Sequence, residues 1–446
     1  MDKPPKETGF GLGREDIRRR HLLPKALVVG ACTGLIAAVF RIALREMEDW
    51  RIHIGARWPG FTGFAIAMAV GTLGGAAAVW LVARFAPEAS GSGIPQLKAV
   101  VLGSAPLRWR RILPVKFFSG LLGIGGGLAL GREGPTIQIG GAVGLMVSRW
   151  FHVPHGEGER KALISAGAGA GLAAAFNAPL AGMIFVLEEL HGAINPIIFV
   201  CAFLASVTSD VVARVLAGAP PIFALRGLVA PTLTVLPAAV VAGVCAGFVG
   251  VAFNRSIFRS MDFFERLKCP PALAGGAVGL LSGLAGAWIP GLSGTGTNLV
   301  TEALTGGFAL SILPLLLIIR FGLSIAGFGS NAAGGIFLPL LVIGALGGLS
   351  FGDLAHGLTP LWIPHPEIFV VLGMGALFTA IVRAPLTGIV LMIELTGVYD
   401  FMLPLLVSCF AAYGIAEWMK DVPIYEALRI RKFGGARVRH GPPDLQ

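Results

Sequence analysis

Apolar segments follow one another from Leu22 to about Met419. The polar breaks between them are short, at 86–91, 152–160, 265–271 and 356–367. Many segments fall below the roughly 20 residues that a simple bilayer span needs. Gly or Pro interrupts them near Gly93, Gly134, Asn177, Gly335 and Pro385. The pattern predicts an all-α polytopic membrane protein with many tilted, partly non-spanning helices. Helices broken in mid-membrane are tolerated where they line a cavity or are buried in protein.

The pattern also repeats. Leu23-Pro24-Lys25-Ala26, followed by Gly30, Cys32, Gly34 and Phe40, returns at the same spacing as Leu236-Pro237-Ala238-Ala239 with Gly243, Cys245, Gly247 and Phe253. Pro135, Ile139 and Gly140 echo Pro339, Ile343 and Gly344. Gly167, Ala178-Pro179-Leu180, Gly182 and Glu188 echo Gly373, Ala384-Pro385-Leu386, Gly388 and Glu394. The blocks keep their order at an offset of about 200 residues. Two halves with matching landmarks are the sequence form of a transporter built from repeats. Inverted topology follows if each half crosses the membrane an odd number of times. The expected division is an N-terminal segment 1–22, repeat 1 over 23–230, repeat 2 over 231–430 and a tail 431–446. In such folds the site lies between the halves, where short helices end.

Composition supports the bilayer as solvent. The chain is 55% hydrophobic and 13% charged, against about 25% charged residues in soluble domains, and its mean hydropathy is +0.78. Gly 64 and Pro 29 fit close helix packing and broken helices. Membrane lipid is thus an expected partner. The net charge of +10 gathers at the ends. Lys3, Lys6, Arg14, Arg18, Arg19, Arg20 and Lys25 precede or open the first apolar segment, and Lys420, Arg429, Arg431, Lys432, Arg437 and Arg439 follow the last. The positive-inside rule then places both termini in the cytoplasm, with an even number of full crossings. Juxtamembrane charge accounts for these clusters without nucleic acid as a partner. The first apolar stretch follows a mixed-charge leader and lacks a small-residue cleavage site, so no cleaved signal peptide is expected. No appended regulatory domain of any size is expected at either end. Cys32, Cys201, Cys245, Cys269 and Cys409 are odd in number and lack metal-ligand spacing. Most read as small buried hydrophobes without a disulfide framework. The eight histidines show no zinc spacing, and neither a metal nor a cofactor is expected.

Candidate chemistry begins at Gly131-Arg132-Glu133-Gly134-Pro135. An acid or base at mid-bilayer costs about 2.5–3.5 kcal/mol on insertion scales, and here one of each stands inside an apolar run. Both should face protein or water. Gly134 and Pro135 suit a helix start. The free N–H groups of a first turn, together with the helix dipole, favour an anion. Glu133 can then act as a tethered anion, filling such a site or yielding it to a mobile ion. Gly91-Ser92-Gly93-Ile94-Pro95 offers a hydroxyl and exposed N–H groups. Gly334-Gly335-Ile336-Phe337-Leu338-Pro339 offers N–H groups beside an apolar wall. Several converging helix starts can bind a dehydrated halide without a fixed cation that would slow its release. Taken singly, each motif is equally a Gly/Pro break needed for packing.

Taken together, these residues resemble the CLC family of chloride channels and transporters. GSGIP at 91–95, GREGP at 131–135 and GIFLP at 335–339 match that family's anion-site signatures in order. GREGPTIQIGG at 131–141 and GLAAAFNAPLAG at 171–182 match almost letter for letter, and the likeness covers about residues 20–430. The resemblance implies a CLC-type fold of two inverted-topology repeats. It implies that the hydroxyls of Ser92 and Tyr425 and the N–H groups of Ile336 and Phe337 bind the anion. The helix starts at Gly91, Gly93, Gly134 and Gly335 would surround it. Glu133 would be the gate, blocking the outer anion position when charged and swinging away when protonated. Glu189 matches the internal proton-transfer glutamate of the antiporters, a position that channels of the family usually fill with an apolar residue. Glu188 would help protons reach it from the cytoplasm. Ser92 with Tyr425 favours chloride over nitrate or fluoride.

The implied function is secondary active exchange of chloride for protons, in a homodimer with one pathway per subunit, of prokaryotic origin and set in the inner membrane; the alternative is a passive channel on the same fold. Gln96 departs from the Glu that many relatives carry. Lys98 and Lys116 either add positive potential or partner acids. Glu394, the repeat counterpart of Glu188, is expected to play a structural part by pairing with Arg383. Asn177 and Pro179 are expected to cap and open the helix that carries Glu188 and Glu189.

Enzymatic readings are weaker. Gly291-Leu292-Ser293-Gly294 fits the nucleophile pattern of intramembrane serine proteases, but that reaction needs a histidine on a neighbouring helix. His356 and His365 fall in a polar break. Gly123-Ile124-Gly125-Gly126-Gly127 and Gly167-Ala168-Gly169-Ala170-Gly171 complete neither dinucleotide nor P-loop patterns.

Overall fold

The computed structural model describes residues 14–58, 60–153, 157–219, 222–223 and 231–434. Lys3 and Lys6 of the basic leader, Arg437 and Arg439 of the basic tail, and most of the expected end segments 1–22 and 431–446 lie outside the described residues.

The first half runs α1 (Arg14–Arg57), α2 (Phe61–Phe85), α3 (Ile94–Val101), α4 (Trp109–Gly120), α5 (Glu133–Trp150), α6 (Glu157–Phe176), α7 (Pro179–Phe185) and α8 (Pro196–Ala217). The second runs α9 (Leu236–Leu267), α10 (Pro271–Trp288), α11 (Thr297–Leu304), α12 (Leu313–Gly329), α13 (Phe337–Leu358), α14 (Ile368–Val382), α15 (Pro385–Thr396) and α16 (Met402–Trp418). A closing helix, α17 (Ile424–Phe433), follows. Among the described residues the only β contact is an isolated bridge between Gly131 and Gly335. Among the described residues seven helices are long and apolar enough to cross a membrane, while those over Leu313–Gly329, Ile368–Val382 and Pro385–Thr396 are apolar but shorter. The sequence expectation of interrupted, partly non-spanning helices thus holds.

The halves meet as a pair of inverted repeats. Counterpart helices α2 and α10 pack backbone to backbone. A methyl group on Gly71 would lie 2.2 Å from the Gly279 carbonyl, and one on Gly279 would lie 2.0 Å from the Gly71 carbonyl. Only glycine permits that approach on both sides. The halves also cap one another. The Glu188 carboxylate accepts from the N–H groups of Leu386 at 3.1 Å and Thr387 at 2.7 Å, and from the Thr387 hydroxyl at 2.7 Å. The Glu394 carboxylate accepts from the N–H groups of Leu180 at 3.0 Å and Ala181 at 2.8 Å. Each half therefore supplies the acid that satisfies the free N–H groups at the start of the other's short helix.

These bonds correct two expectations. Glu394 is structural, but its partners are backbone N–H groups. Arg383 turns instead to Glu417 at 3.3 Å and Asp421 at 3.7 Å. Asn177 does not cap α7. Its φ of 55° sends the side chain elsewhere, and its Oδ1 accepts from Arg41 at 2.6 Å. The cap residue is Ala178, without a side-chain bond of its own, so Glu394 does the capping from the other repeat. Glu394→Ala is expected to lower stability by about 0.5–2 kcal/mol, read as a lower midpoint of thermal unfolding in detergent. An unchanged midpoint would remove the capping role.

Burial concentrates in the middle of the molecule. Along α5 every residue except Arg149 and Trp150 is buried, and α14 is buried throughout. The outer helices present large apolar side chains such as Leu35, Leu73, Leu281 and Ile318, as a lipid-facing surface should. The cysteines follow the same division. Cys201 and Cys409 are buried, Cys32 and Cys269 half-buried and Cys245 exposed, all of them free. The expectation that most are buried fails because an apolar side chain in a bilayer gains nothing by turning inward. His356 belongs to the last turn of α13, so the polar break begins later than its sequence implies.

Candidate anion-binding site

Three helices, α3, α5 and α13, start at one place. Gly131 and Gly335 exchange N–H···O=C bonds of 2.7 Å in both directions, tying the loops that lead into α5 and α13. Gly134, in the first turn of α5, is so tightly enclosed that a methyl group there would lie 2.8 Å from both Gly335 Cα and Ser92 Cα. The three Gly-rich motifs, more than 200 residues apart at the extremes, thus form one junction. Gly91 and Gly93 precede α3 with φ of 64° and 80°, and Gly335 enters α13 through Ile336.

The loop carrying Ser92 is held from three sides. Lys116, fully buried, donates to the carbonyls of Ala89 at 2.8 Å and Gly91 at 2.5 Å. Gly91 N–H donates to the Ala332 carbonyl at 3.1 Å. Lys432 of α17 donates to Ser90 Oγ at 2.6 Å. Of the two readings of Lys116, partnering an acid does not describe it: the ammonium braces backbone carbonyls. Ser92 is buried, and its Oγ accepts only a long 3.4 Å contact from Ile94 N–H. Gln96 meets Gln138, whose amide donates to its side-chain carbonyl, and donates in turn to the Pro106 carbonyl at 3.4 Å. The pair is uncharged.

Glu133 opens the first turn of α5 and is fully buried. Its Oε2 accepts from Leu338 N–H at 3.3 Å, so the carboxylate rests on the N-terminus of α13. Ile336 and Phe337 stand at the same helix end, where N–H groups have no carbonyl one turn earlier to bond. The Phe337 ring backs this corner, with centroids of Phe176 at 5.5 Å, Phe185 at 6.4 Å and Phe378 at 4.4 Å. Tyr425 lies in the first turn of α17, fully buried, within electrostatic reach of both Glu133 and Glu189. Its hydroxyl, Glu133 Oε1 and Arg132 Nε are buried polar atoms with no protein partner. Such groups are rare and call for a ligand or water. The junction therefore offers a hydroxyl, helix-start N–H groups and a positive dipole end, the chemistry of an anion site.

Two cavities approach this junction. One of about 370 Å3 reaches Gly91, Ser92 and Gly93 and is rimmed by Arg431 and Lys432. The other, about 680 Å3, reaches Arg132 past Arg41, Glu48 and Arg51. Glu133 is flanked by Arg132, which lines the second cavity, and by Gly134, which packs on Ser92 at the first.

Glu189 sits apart from the junction on a π-helical turn, Val186–His191, that prolongs α7. It is buried and bonded to Lys98 at 2.9 Å, and Lys98 also approaches Glu426 at 3.5 Å. Lys98 is therefore a partner of acids. Through it Glu189 is tied to α3, which begins beside Ser92, and to α17, which bears Tyr425.

The sequence reading missed a second polar cluster around the larger cavity. Glu48 accepts from Thr295 N–H at 2.7 Å and its hydroxyl at 3.1 Å, and Arg51 donates to Ser293. Arg320, fully buried, donates to the carbonyls of Leu292, Gly294 and Thr295 at 2.9, 2.7 and 2.7 Å. The one available signal was Arg320 inside an otherwise apolar run. This cluster gives the protease reading no support. Ser293 Oγ is bonded to Arg51 and to the Pro290 carbonyl at 3.2 Å, while His356 is bonded to the Ile363 carbonyl.

Known proteins resemble this chain in sequence and in fold. Proteins described as H(+)/Cl(-) exchange transporter ClcA are similar along nearly the whole chain. That of Salmonella paratyphi A is 38% identical over 440 residues, covering 94% of this chain and 92% of the relative. That of Vibrio cholerae serotype O1 is 40% identical over 455 residues, covering 98% and 95%. The solved structure of a slow cyanobacterial Cl-/H+ antiporter superposes with a TM-score of 0.88 at 36% identity, covering 93% of this chain and 98% of that one. A eukaryotic CLC transporter shares the fold, with a TM-score of 0.79 at 23% identity over 93% of this chain and 74% of its own. The sequence profile described as voltage gated chloride channel matches residues 74–417. With that match and those relatives, the chain belongs to the voltage gated chloride channel family, with the CLC fold.

Proposed function

We propose that this protein exchanges chloride for protons across a membrane, with Glu133 competing with the anion for one site. The observation that carries this reading is the Glu133 carboxylate resting on the N-terminus of α13, with its neighbour Arg132 lining one cavity and its neighbour Gly134 packed on Ser92, which lines the other. Ser92, Tyr425 and the N–H groups of Ile336 and Phe337 take the central anion. A carboxylate and a chloride about 4 Å apart repel by about 4 kcal/mol at an effective dielectric constant of 20. That is on the order of a thousandfold in occupancy. Chloride therefore enters as Glu133 takes up a proton and leaves, and the swap couples the two ions.

Glu189, buried beside Lys98, receives the proton from the other side. Its presence favours exchange over passive conduction. Glu188 stands next to it, and its three bonds at the start of α15 make it a cap before it is a proton relay. No step makes or breaks a covalent bond other than to a proton, so the protein is a transporter and not an enzyme. Repeat 1 spans 23–230 and repeat 2 spans 231–430, although α1 begins earlier, at Arg14, and α17 ends later, at Phe433. The clustered charge at both ends supports cytoplasmic termini. The bacterial relatives support an inner membrane, and the family supports a homodimer with one pathway per subunit.

Tyr425→Ala tests the anion site. It removes a hydroxyl that no protein group uses, along with the ring that closes the junction. A hydrogen bond to a charged group contributes about 1.5–3 kcal/mol, so chloride binding measured by titration calorimetry is expected to weaken by about tenfold or more. Unchanged affinity would place the anion elsewhere.

A further inference from the structure

A third cavity, of about 570 Å3, lies between the segment entering α4, the end of α5 and the start of α6. It lies near the start of α1, whose Leu22 and Ala26 share a core cluster with Met146, Leu163 and Trp109, and near the end of α2. Its floor is apolar, formed by the buried side chains of Leu107, Leu145 and Ile164. Its rim is cationic: Arg108, Arg110 and Arg111 from the start of α4 and Arg149 from the last turn of α5, with Arg160 and Lys161 of α6, which already have partners, beside them. No acidic side chain is among the described residues that line it. An adjoining cavity of about 400 Å3 shares Arg110 and Arg111 and adds Arg84.

The folding of α4 does not explain its arginines. They crowd a helix N-terminus, where the macrodipole disfavours cations, and Arg108 occupies the cap position without a side-chain cap bond. An anion would relieve both the repulsion and the free N–H groups of the first turn. Only Arg149 and, in the adjoining cavity, Arg84 at the end of α2 are placed as a helix dipole prefers. Aromatic rings mark the depth of this face. The Arg110 guanidinium lies 5.3 Å from the Trp109 ring centroid and that of Arg84 lies 5.7 Å from Phe85, and Trp150 and Phe151 are exposed beside Arg149. Such belts sit at the headgroup level of a bilayer.

We propose that this cavity binds the headgroup of an anionic phospholipid, with the phosphate among the arginines and an acyl chain along the apolar floor. A soluble anion would use the rim but not the floor. The proposal is independent of the transport mechanism.

The test is native mass spectrometry of the purified full chain titrated with phosphatidylglycerol or with phosphatidylcholine of the same chains. Phosphatidylglycerol should be retained in preference. Arg108→Gln combined with Arg111→Gln should lower its occupancy by about tenfold or more, at about 1 kcal/mol for each lost charge. Arg108→Lys with Arg111→Lys should preserve most of it, which separates charge from misfolding. Arg255→Gln with Arg259→Gln, on α9, should leave it unchanged. Equal retention of both lipids, or equal retention by the glutamine variant, would overturn the proposal. Complete displacement of the lipid by millimolar inorganic phosphate would replace it with a small-anion site.

Discussion

Glu133→Gln is expected to abolish proton transport while chloride continues to cross. Glutamine keeps the size and one acceptor of the native side chain, so the contact to Leu338 N–H and the packing of the junction survive. It carries neither a negative charge to hold against chloride nor a proton to exchange for it. The repulsion of about 4 kcal/mol that forces chloride and carboxylate to alternate is lost. Proton flux should fall to that of protein-free liposomes, and chloride flux should become independent of pH. Residual chloride-driven proton movement in this variant would mean that another group carries the proton past the anion.

Glu189→Gln is expected to abolish proton transport as completely, for a different reason. The gate remains titratable, but no acid on the far side delivers protons to it. Chloride flux should therefore persist and still rise as pH falls, because protonation of Glu133 frees the anion site. That pH dependence separates the two variants. Removing one member of a buried ion pair can cost about 3–5 kcal/mol, yet here Lys98 keeps Glu426 at 3.5 Å and glutamine keeps an acceptor. The variant should elute as the parent does in size-exclusion chromatography. Unimpaired proton exchange in Glu189→Gln would mean that protons reach Glu133 by another route and would remove Glu189 from the mechanism.

The junction was legible in the sequence because its chemistry is local. A helix start needs Gly and Pro within a few residues of the N–H groups it exposes, so Ser92, Glu133 and Ile336 announced themselves by their immediate neighbours. The repeats were legible because matching landmarks survive at a fixed offset. Interactions that close only across the two halves left no such trace. The exchange of caps between Glu188 and Glu394 depends on the inverted pairing of α7 with α15. Glu48 reaches Thr295 across 247 residues, and Arg51 reaches Ser293 across 242. Spacing along the chain says nothing about such pairs. Lys116 and Lys98 are both cations near the same motif, yet one braces carbonyls and the other binds acids. Burial decides between those uses, and a single sequence does not record it. The Asn177 expectation failed because the residue's φ, set by the tight turn between α6 and α7, removed its side chain from the helix it precedes.

The most direct test uses liposomes containing the purified protein, loaded with chloride and held at zero membrane potential with potassium and valinomycin. A chloride gradient is imposed and the internal pH is followed. Exchange through Glu133 and Glu189 predicts that protons move uphill, against their own gradient, as chloride runs down. Chloride efflux with no movement of protons would contradict coupled exchange and make the protein a passive conductor on the same fold.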